Sequence, residues 1–200
     1  IITFYILPFA NEQFMRGEKN RLKEIINTSI NIMDKYHKDY KTGKLTLPQA
    51  QEGAQKWLKS LRFGPEKKDY VSIIDIKGKS IMHPYAENLE GKDVSLLKDN
   101  EGKFFIEEII KGCKKNGSVF VTYYWQYKEQ KNMIVKKLTY NKLFPEWKWI
   151  VGTGIYISDF NAYIKGFNTT VIIILIILSI LLIGMSFFLL KTLKQIESGK

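Results

Sequence analysis

Three residues of this 200-residue chain carry ionisable side chains at places where a small anion could bind. Lys137 lies within a predicted strand, where its ammonium can neutralise an anion as a point charge. Arg62 ends a predicted helix, and a guanidinium can bind a carboxylate through two parallel hydrogen bonds. His83 ends a second predicted strand. Each has an ordinary alternative role: Lys137 as a solvated surface lysine, Arg62 as a cation favoured at the C-terminus of its helix, and His83 as a hydrogen-bonded loop residue.

Aromatic residues accompany these cations. Side chains alternate between the two faces of a strand, so Tyr123 and Trp125 share one face of a predicted strand with Val121. The opposite face carries Phe120, Thr122 and Tyr124. Tyr123 and Trp125 therefore either line a pocket or pack in the core. Tyr70, at the start of the first predicted strand, is a further candidate for the same pocket.

The same aromatic residues could instead surround an organic amine through cation–π contacts. That interpretation requires a buried carboxylate beside the rings. Asp75 is the nearest candidate, but its spacing from Gly78 is typical of a tight turn. We therefore expect a small anion rather than an amine as the ligand.

The sequence lacks the usual motifs for catalysis, zinc binding and nucleic-acid recognition. No glycine-rich loop is followed by Lys-Ser or Lys-Thr, as a phosphate-binding loop requires. One cysteine and two histidines are too few for the usual Cys/His zinc site. The net charge of +11 would suit a nucleic acid, but the lysines are scattered rather than gathered on one element. We expect no catalytic residue, no metal, no cofactor and no nucleic-acid partner.

Hydrophobic periodicity predicts an α+β domain. Apolar residues recur every three or four positions within residues 11–40, as in a long amphipathic helix. Thr46 and Gln49 have the spacing of a capping box, which starts a second helix. Alternating segments then predict two strands, a short helix and three further strands, at residues 70–75, 79–83, 104–115, 119–127, 132–140 and 147–157. Five strands joined by short turns indicate one antiparallel sheet.

The longest predicted connection joins the second strand to the short helix. Residues 84–103 form it, and their number exceeds the usual length of a connection inside a compact domain. Connections of this length are often functional lids. We therefore expect residues 84–103 to close a pocket on one face of the sheet.

Two segments are apolar enough to meet a lipid bilayer. Residues 171–190 carry no charge, and about 20 apolar helical residues cross a hydrocarbon core of about 30 Å. Residues 1–10 are also apolar, and we interpret them as the end of a first, truncated transmembrane helix.

These segments divide the chain into regions. They predict a folded domain at residues 11–167, a second transmembrane helix at 168–190 and the start of a cytoplasmic region at 191–200. Lys191 and Lys194 follow the second helix closely, which favours this orientation because positive charge accumulates on the cytoplasmic side.

A series of motifs between residues 70 and 156 resembles a known family. In chain order the motifs are Asp75 with Gly78, His83-Pro84, Gly91-Lys92-Asp93, Tyr123 with Trp125, Lys137 with Tyr140, and then Trp147, Trp149, Gly152, Gly154 and Tyr156. The ordered set closely resembles the single-Cache extracytoplasmic sensor domain of bacterial chemoreceptors and sensor kinases. This resemblance implies a PAS-like Cache fold, with a long N-terminal helix and a five-stranded antiparallel sheet.

The resemblance also implies a set of ligand-binding residues. Tyr123 matches the family's nearly constant strand tyrosine, Lys137 and Tyr140 match a Lys-x-x-Tyr pattern, and His83 with its proline matches a His-Pro pair. The full predicted set is Tyr123, Lys137, His83, Arg62, Trp125, Tyr70 and Tyr140. Similar domains bind short monocarboxylates such as acetate, propionate, lactate or pyruvate.

The expected function is that of the ligand-binding region of a bacterial transmembrane signalling receptor, in the first place a methyl-accepting chemotaxis receptor. We expect the domain to lie outside the inner membrane, to contact membrane lipid and to form a homodimer through its N-terminal helix. The open alternatives are a histidine kinase or nucleotide cyclase, a sensor for a small amine or neutral ligand, and a membrane-anchored binding protein without an output domain. No enzymatic activity is expected of this part of the chain.

Overall fold

The structure, a computed structural model, describes residues 7–199. Its helices are Leu7–Lys41 (α1), Leu47–Ser60 (α2), Phe105–Asn116 (α3) and Ile157–Ser198 (α4). Its strands are Val71–Asp75 (β1), Ser80–Met82 (β2), Ser118–Tyr127 (β3), Gln130–Phe144 (β4) and Trp149–Tyr156 (β5). The predicted α+β order is confirmed. Of the predicted first membrane segment, residues 1–6 lie outside the described residues, and residues 7–10 belong to α1.

The start of α2 is fixed by the predicted capping box. The backbone N–H of Thr46 donates to the side-chain oxygen of Gln49 at 2.9 Å, and the N–H of Gln49 donates to Thr46 Oγ1 at 3.4 Å. These reciprocal bonds satisfy two N–H groups that the start of a helix would otherwise leave without partners. Gly117 ends α3 with a φ of 74°, in the left-handed region that glycine adopts without strain.

All strand pairs are antiparallel, and the order across the sheet is β2-β1-β5-β4-β3. The last strand along the chain, β5, therefore lies in the middle of the sheet. Strand β4 runs past its predicted end at residue 140, because residues 141–144 pair with β5, from Asn141 opposite Gly152 to Phe144 opposite Trp149. No loop separates β5 from α4, because Tyr156 is followed directly by Ile157.

Apolar residues are buried on both faces of the sheet. On one face, α1 and α2 pack Leu22, Ile26 and Leu58 against Ile73 and Val151, all five with no exposed surface. On the other face, α3 and the connection after β2 complete a second cluster, which includes Phe105, Ile109, Cys113, Val121 and Ile150. Side chains on this second face surround the cavity described below.

Helix α4 has the length and composition of a membrane span, and no other helix within residues 7–199 does. Its 42 residues extend about 63 Å at 1.5 Å per residue, twice the thickness of a hydrocarbon core. The apolar side chains project outward: Ile183 is 69% exposed and Phe187 is 71% exposed. A soluble protein buries such side chains, whereas a bilayer would cover them here. The predicted second span at residues 168–190 lies wholly within α4.

Candidate ligand-binding site

An enclosed cavity of about 50 Å³ lies between the sheet, α3 and the connection after β2. One part of its wall is polar and is formed by Tyr70, His83, Tyr123, Trp125, Lys137, Thr139 and Asn141. The other part is apolar and includes Met82, Leu89, Leu97, Phe105, Ile106 and Ile109. A cavity of this size has room for about four water molecules or a ligand of similar volume.

Lys137 is the cation of this cavity. It lies on β4 and is only 3% exposed, whereas its neighbour Lys136 is exposed, as the alternation of the strand predicts. Its Nζ donates to Tyr70 Oη at 2.9 Å and lies 4.0 Å from the centre of that ring. Burial lowers the pKa of Lys137 to about 7, and the charge of Asp69 offsets part of this change.

Trp125 contributes a hydrogen-bond donor that has no partner. Its indole Nε1 is buried and makes no hydrogen bond within the described residues. A buried donor left in this state costs free energy, because it has lost water without gaining another acceptor. The indole is held in the wall of the cavity by edge contacts with Phe105 at 5.6 Å and His83 at 5.7 Å between ring centres. A ligand oxygen in the cavity would satisfy this donor.

His83 is a neutral residue of the same wall. Its Nδ1 accepts the backbone N–H of Tyr85 at 3.2 Å, which assigns the ring proton to Nε2. Burial, together with the charge of Lys137, lowers the pKa of His83 to about 3. The histidine therefore offers a neutral N–H donor at physiological pH and does not add a second positive charge.

Two tyrosines complete the polar wall. The ring of Tyr123 stacks on Phe105, with 4.1 Å between centres and an angle of 11° between planes. Burial raises the pKa of Tyr123, and burial also raises the pKa of Tyr70, so both phenols keep their protons. Tyr70 packs edge-on against His83 at 4.9 Å. These contacts hold the rings of Tyr123 and Tyr70 in the wall of the cavity before any ligand is present.

A row of polar side chains on β4 extends this wall and was not predicted. Asn141 donates to Thr139 Oγ1 at 2.9 Å, and Thr139 donates to the carbonyl oxygen of Val121 at 3.1 Å. On the adjacent strand, a Cβ at Gly152 would clash with Asn141 Oδ1, so a larger residue there would require the Asn141 side chain to move. The signal in the sequence is the two-residue period of Lys137, Thr139 and Asn141, which places all three on one face.

Two predicted site residues do not line the cavity. Tyr140 lies outside the cavity, because three positions along a strand separate it from Lys137 and place it on the opposite face. It packs there beside Phe120, with 4.7 Å between ring centres. Arg62 also lies outside the cavity: its Nη1 donates to the carbonyl oxygens of Lys59 at 2.7 Å and Leu61 at 2.9 Å. The alternative role, as a cation at the C-terminus of α2, describes Arg62 correctly.

The long connection after β2 covers the cavity, as predicted from its length. Its backbone follows β2, because the N–H of Gly91 donates to the carbonyl of Ser80 at 2.7 Å and that of Val94 donates to the carbonyl of Gly78 at 2.8 Å. Leu89, Val94 and Leu97 of the connection enter the wall of the cavity. Whether this segment moves when a ligand binds stays a prediction.

A second, more open cavity of about 490 Å³ lies between α1 and the start of α4. Its two cations already have partners: Arg21 pairs with Glu18 at 2.6 Å, and Lys128 pairs with Glu66 at 2.9 Å. The enclosed cavity instead holds a buried cation without a carboxylate. We therefore take the enclosed cavity as the candidate ligand site. Within residues 7–199, no group of three or more His, Cys, Asp or Glu side chains could hold a metal ion.

The fold and the cavity define a class of protein: an α+β sensor-type domain with a small ligand cavity on one face of its sheet, joined to a membrane helix. The chain belongs to the family Single Cache domain 2, because residues 14–169 match that family. The family predicted from the ordered motifs is therefore confirmed.

Relatives of known type carry this domain in two kinds of receptor. The chain is 30% identical to the methyl-accepting chemotaxis protein McpP of Pseudomonas putida over 162 residues, which are 81% of this chain and 29% of that protein. It is 29% identical to the sensor histidine kinase MctS of Rhizobium johnstonii, over 79% of this chain and 34% of that protein. The chain thus spans about a third of the length of these relatives.

Solved structures have the same fold. A Cache chemosensory domain studied for its recognition of carboxylic acids is 33% identical, has a TM-score of 0.69, and is matched over 73% of this chain and 97% of that one. A methyl-accepting chemotaxis protein from Vibrio parahaemolyticus is 27% identical, with a TM-score of 0.64 over 77% of this chain and 98% of that one. These likenesses confirm the predicted Cache fold.

Proposed function

We propose that this chain is the ligand-binding region of a bacterial transmembrane signalling receptor and binds a small monocarboxylate in the enclosed cavity. The observation that carries the proposal is the buried ammonium of Lys137, which has no carboxylate at ion-pair distance within the described residues. An unpaired buried charge is costly, and a bound anion removes that cost.

The neighbouring groups are suited to the same anion. Trp125 offers an unused N–H donor, and His83 offers the N–H of its neutral ring. A carboxylate has about four acceptor sites on its two oxygens, so it can accept from these donors and from Lys137 together. Hydrogen bonds to an ionised acceptor are about twice as strong as neutral ones. The geometry therefore favours a carboxylate over a neutral ligand.

The volume of the cavity supports a ligand of two or three carbons. A space of about 50 Å³ suits a small acid such as acetate, propionate, lactate or pyruvate. The solved relative that recognises carboxylic acids supports the same ligand class. The apolar side of the wall would contact the alkyl group of the acid.

The alternative of an amine ligand has less support. Asp75, the candidate carboxylate for an amine site, accepts the N–H groups of Lys77 at 2.8 Å and Lys79 at 2.9 Å and so belongs to the hairpin turn. A second positive charge beside Lys137 would also be repelled. An amine therefore serves as the opposing outcome of the binding test.

The kind of receptor is inferred from the relatives. A chemotaxis receptor is favoured because one curated relative and one similar solved domain are chemotaxis proteins, and a histidine kinase is the second candidate. We infer that α4 crosses the bacterial inner membrane and that the domain faces outward, in contact with lipid at its base. The homodimer through α1 is inferred from the family resemblance alone, because Leu22 and Ile26 of the apolar stripe are buried against the sheet of the same domain.

Calorimetry with matched ligands tests the proposal. The 200-residue chain in lipid nanodiscs would be titrated with propionate, propanol and propylamine, which share a three-carbon chain and differ in charge. At the ceiling of about −1.5 kcal/mol per heavy atom, four to six atoms allow about −6 to −9 kcal/mol, so the dissociation constant should lie between sub-micromolar and millimolar values. Binding of propionate alone is expected. Binding of propylamine without propionate would overturn the anion assignment.

A further inference from the structure

Lys128 joins three separate segments of the domain at its membrane-proximal end. It lies in the turn between β3 and β4, and only 5% of its side chain is exposed. Its Nζ contacts Glu66 at 2.9 Å, in the segment between α2 and β1, and the hydroxyl of Tyr127 at 3.0 Å. The carboxylate of Asp159, in the first turn of α4, lies 3.7 Å away and accepts a bond from Tyr127 Oη at 3.1 Å.

The backbone of the same residue reaches toward the ligand cavity. The N–H of Lys128 donates to Tyr156 Oη at 2.9 Å, and that hydroxyl donates to the carbonyl of Gln126 at 3.0 Å. The ring of Tyr156 is 2% exposed, and its centre lies 4.8 Å from the ammonium of Lys137. Tyr156 is also the last residue of β5, directly before α4.

The contacts therefore form a continuous route from the cavity to α4. The ammonium of Lys137 touches the ring of Tyr156, the hydroxyl of Tyr156 holds the backbone of Lys128, and the side chain of Lys128 holds Asp159. Lys128 adopts a φ of 52°, in the left-handed region that is uncommon for a residue with a Cβ. Its contacts therefore stabilise an unfavourable backbone conformation. The route consists of one cation–π contact, one hydrogen bond and one ion pair of 3.7 Å.

We propose that Lys128 and Tyr156 couple the occupancy of the cavity to the position of the first turn of α4. The inference rests on the ligand site proposed above, since a bound anion would draw the Lys137 ammonium away from the rings of Tyr70 and Tyr156. Tyr156 then shifts with respect to the cavity, and the bonds through Lys128 carry that shift to Asp159. Shifts of about 1–2 Å are enough to switch helices in other signalling proteins.

The chain contains a matched control for this coupling. Lys68 pairs with Glu129, and this pair joins the same two segments as the Lys128–Glu66 pair: the segment before β1 and the β3–β4 turn. Both side chains of the control pair are 44% exposed, and neither is among the contacts of Tyr156 or Asp159. Removing Lys68 therefore breaks an ion pair between the same two segments without interrupting the route to α4.

Hydrogen exchange tests the proposal. The exchange rates of residues 157–163 would be measured on the 200-residue chain in nanodiscs, with and without saturating propionate. Propionate should change the exchange rates in this segment by about fivefold or more, both in the unchanged chain and in Lys68→Met. A factor of about five is the low end of ordinary coupling between two sites. In Lys128→Met the change should be lost, while calorimetry shows a dissociation constant within about threefold of the original. A response of α4 that persists in Lys128→Met, or that disappears equally in Lys68→Met, would overturn the proposal.

A second variant and a ligand-free measurement keep the test decisive. If Lys128→Met does not fold, Asp159→Ala removes the contact at the α4 end only, and it should also lose the response while binding propionate. If the unchanged chain does not bind propionate, the proposed function fails by itself. The coupling is then measured without a ligand, by substituting Lys137→Met in two backgrounds. The substitution should alter exchange in residues 157–163 when Lys128 is present, and should have no effect there when Lys128→Met is also present. Equal effects in both backgrounds would refute the coupling.

Discussion

The ammonium of Lys137 donates a hydrogen bond of 2.9 Å to the phenol oxygen of Tyr70, and within the described residues no carboxylate lies at ion-pair distance from it. The ligand-free cavity thus holds a cation that is satisfied by one neutral oxygen and two aromatic rings. Cation–π contacts recover only part of what water provides to an ammonium. The site is therefore prepared for an anion, and its properties should depend on the charge of this one side chain.

Substitution of Lys137 should separate charge from packing. Lys137→Met keeps most of the volume and should weaken propionate binding by about 30-fold or more, because an anion in the cavity would lose its cation. The fold should survive, since replacing a buried charge by an apolar group of similar size is often neutral or stabilising. Calorimetry and thermal unfolding measure the two effects.

Lys136→Met is the matched control for this substitution. Lys136 is exposed on the other face of the same strand, and the change should leave affinity unaltered and stability within about 0.5 kcal/mol. Equal loss of affinity at both positions would indicate a general surface field in place of a specific contact. Unchanged affinity in Lys137→Met would mean that a different residue binds the anion.

Propionate binding should weaken as the pH rises above about 7. Burial lowers the pKa of Lys137 from 10.5 to about 7, and an anion binds the protonated form. Above that pH the protein must take up a proton on binding, so affinity should fall by up to tenfold per pH unit. Titrations in buffers with different heats of ionisation measure this uptake directly. In Lys137→Met both the uptake and the pH dependence should be absent.

The same shift predicts how the ligand-free fold responds to pH. The folded pKa of Lys137 lies below its unfolded value, so between about pH 7 and pH 10.5 the unfolded chain binds more protons. This group therefore makes the fold more stable as the pH rises through that range, and less stable below it. Comparing the unfolding free energy of the unchanged chain with that of Lys137→Met isolates this contribution.

Trp125→Phe tests the donor that has no partner. The indole Nε1 makes no hydrogen bond in the free protein, so its removal should not lower stability through a lost bond. If the carboxylate accepts from this N–H, affinity should fall by about 10- to 100-fold, as for a hydrogen bond of about 1.5–3 kcal/mol to a charged group. Trp57→Phe is the control, because Trp57 is 43% exposed on α2. A loss of stability without a loss of affinity would assign Trp125 to packing.

The sequence predicted much of the fold and five of the seven residues in the polar wall of the cavity. The five strands and the capping box follow from local periodicity, and the alternation of β4 places Lys137 inside and Lys136 outside. The same rule of alternation excludes Tyr140, which the Lys-x-x-Tyr resemblance had included. A motif aligned by resemblance does not by itself say which face of the sheet each of its residues occupies.

Other parts of the site depend on contacts between distant segments. Arg62 turned to the carbonyl groups of its own helix, a choice between two roles that the sequence left open. The charge of Asp69, which lies in the segment before β1, raises the pKa of Lys137, and burial raises the pKa of Asp69 itself. Tyr156 looks like an ordinary strand end until the sheet order places β5 beside β4. Such relations arise from long-range pairing, which no local pattern encodes.

The orientation in the membrane can be tested with a cysteine reporter. Lys77 is exposed at the turn between β1 and β2 and does not line the cavity. Lys77→Cys in a Cys113→Ser background should react with an impermeant maleimide in intact cells. Labelling only after the cells are permeabilised would place the domain in the cytoplasm and contradict the sensor function.

The size of the cavity should set the length of the acid. Ile109 lies on α3, is 3% exposed and forms part of the apolar wall. Ile109→Ala enlarges the cavity, so affinity should shift from propionate toward butyrate and pentanoate. The change should cost about 2–5 kcal/mol of stability, as large-to-small changes in a core do. Ile26→Ala is the matched control, because Ile26 is fully buried against the other face of the sheet. It should lose comparable stability and keep the preference for propionate. If Ile109→Ala also keeps that preference, the apolar wall on α3 does not contact the alkyl chain and the acid lies elsewhere in the cavity.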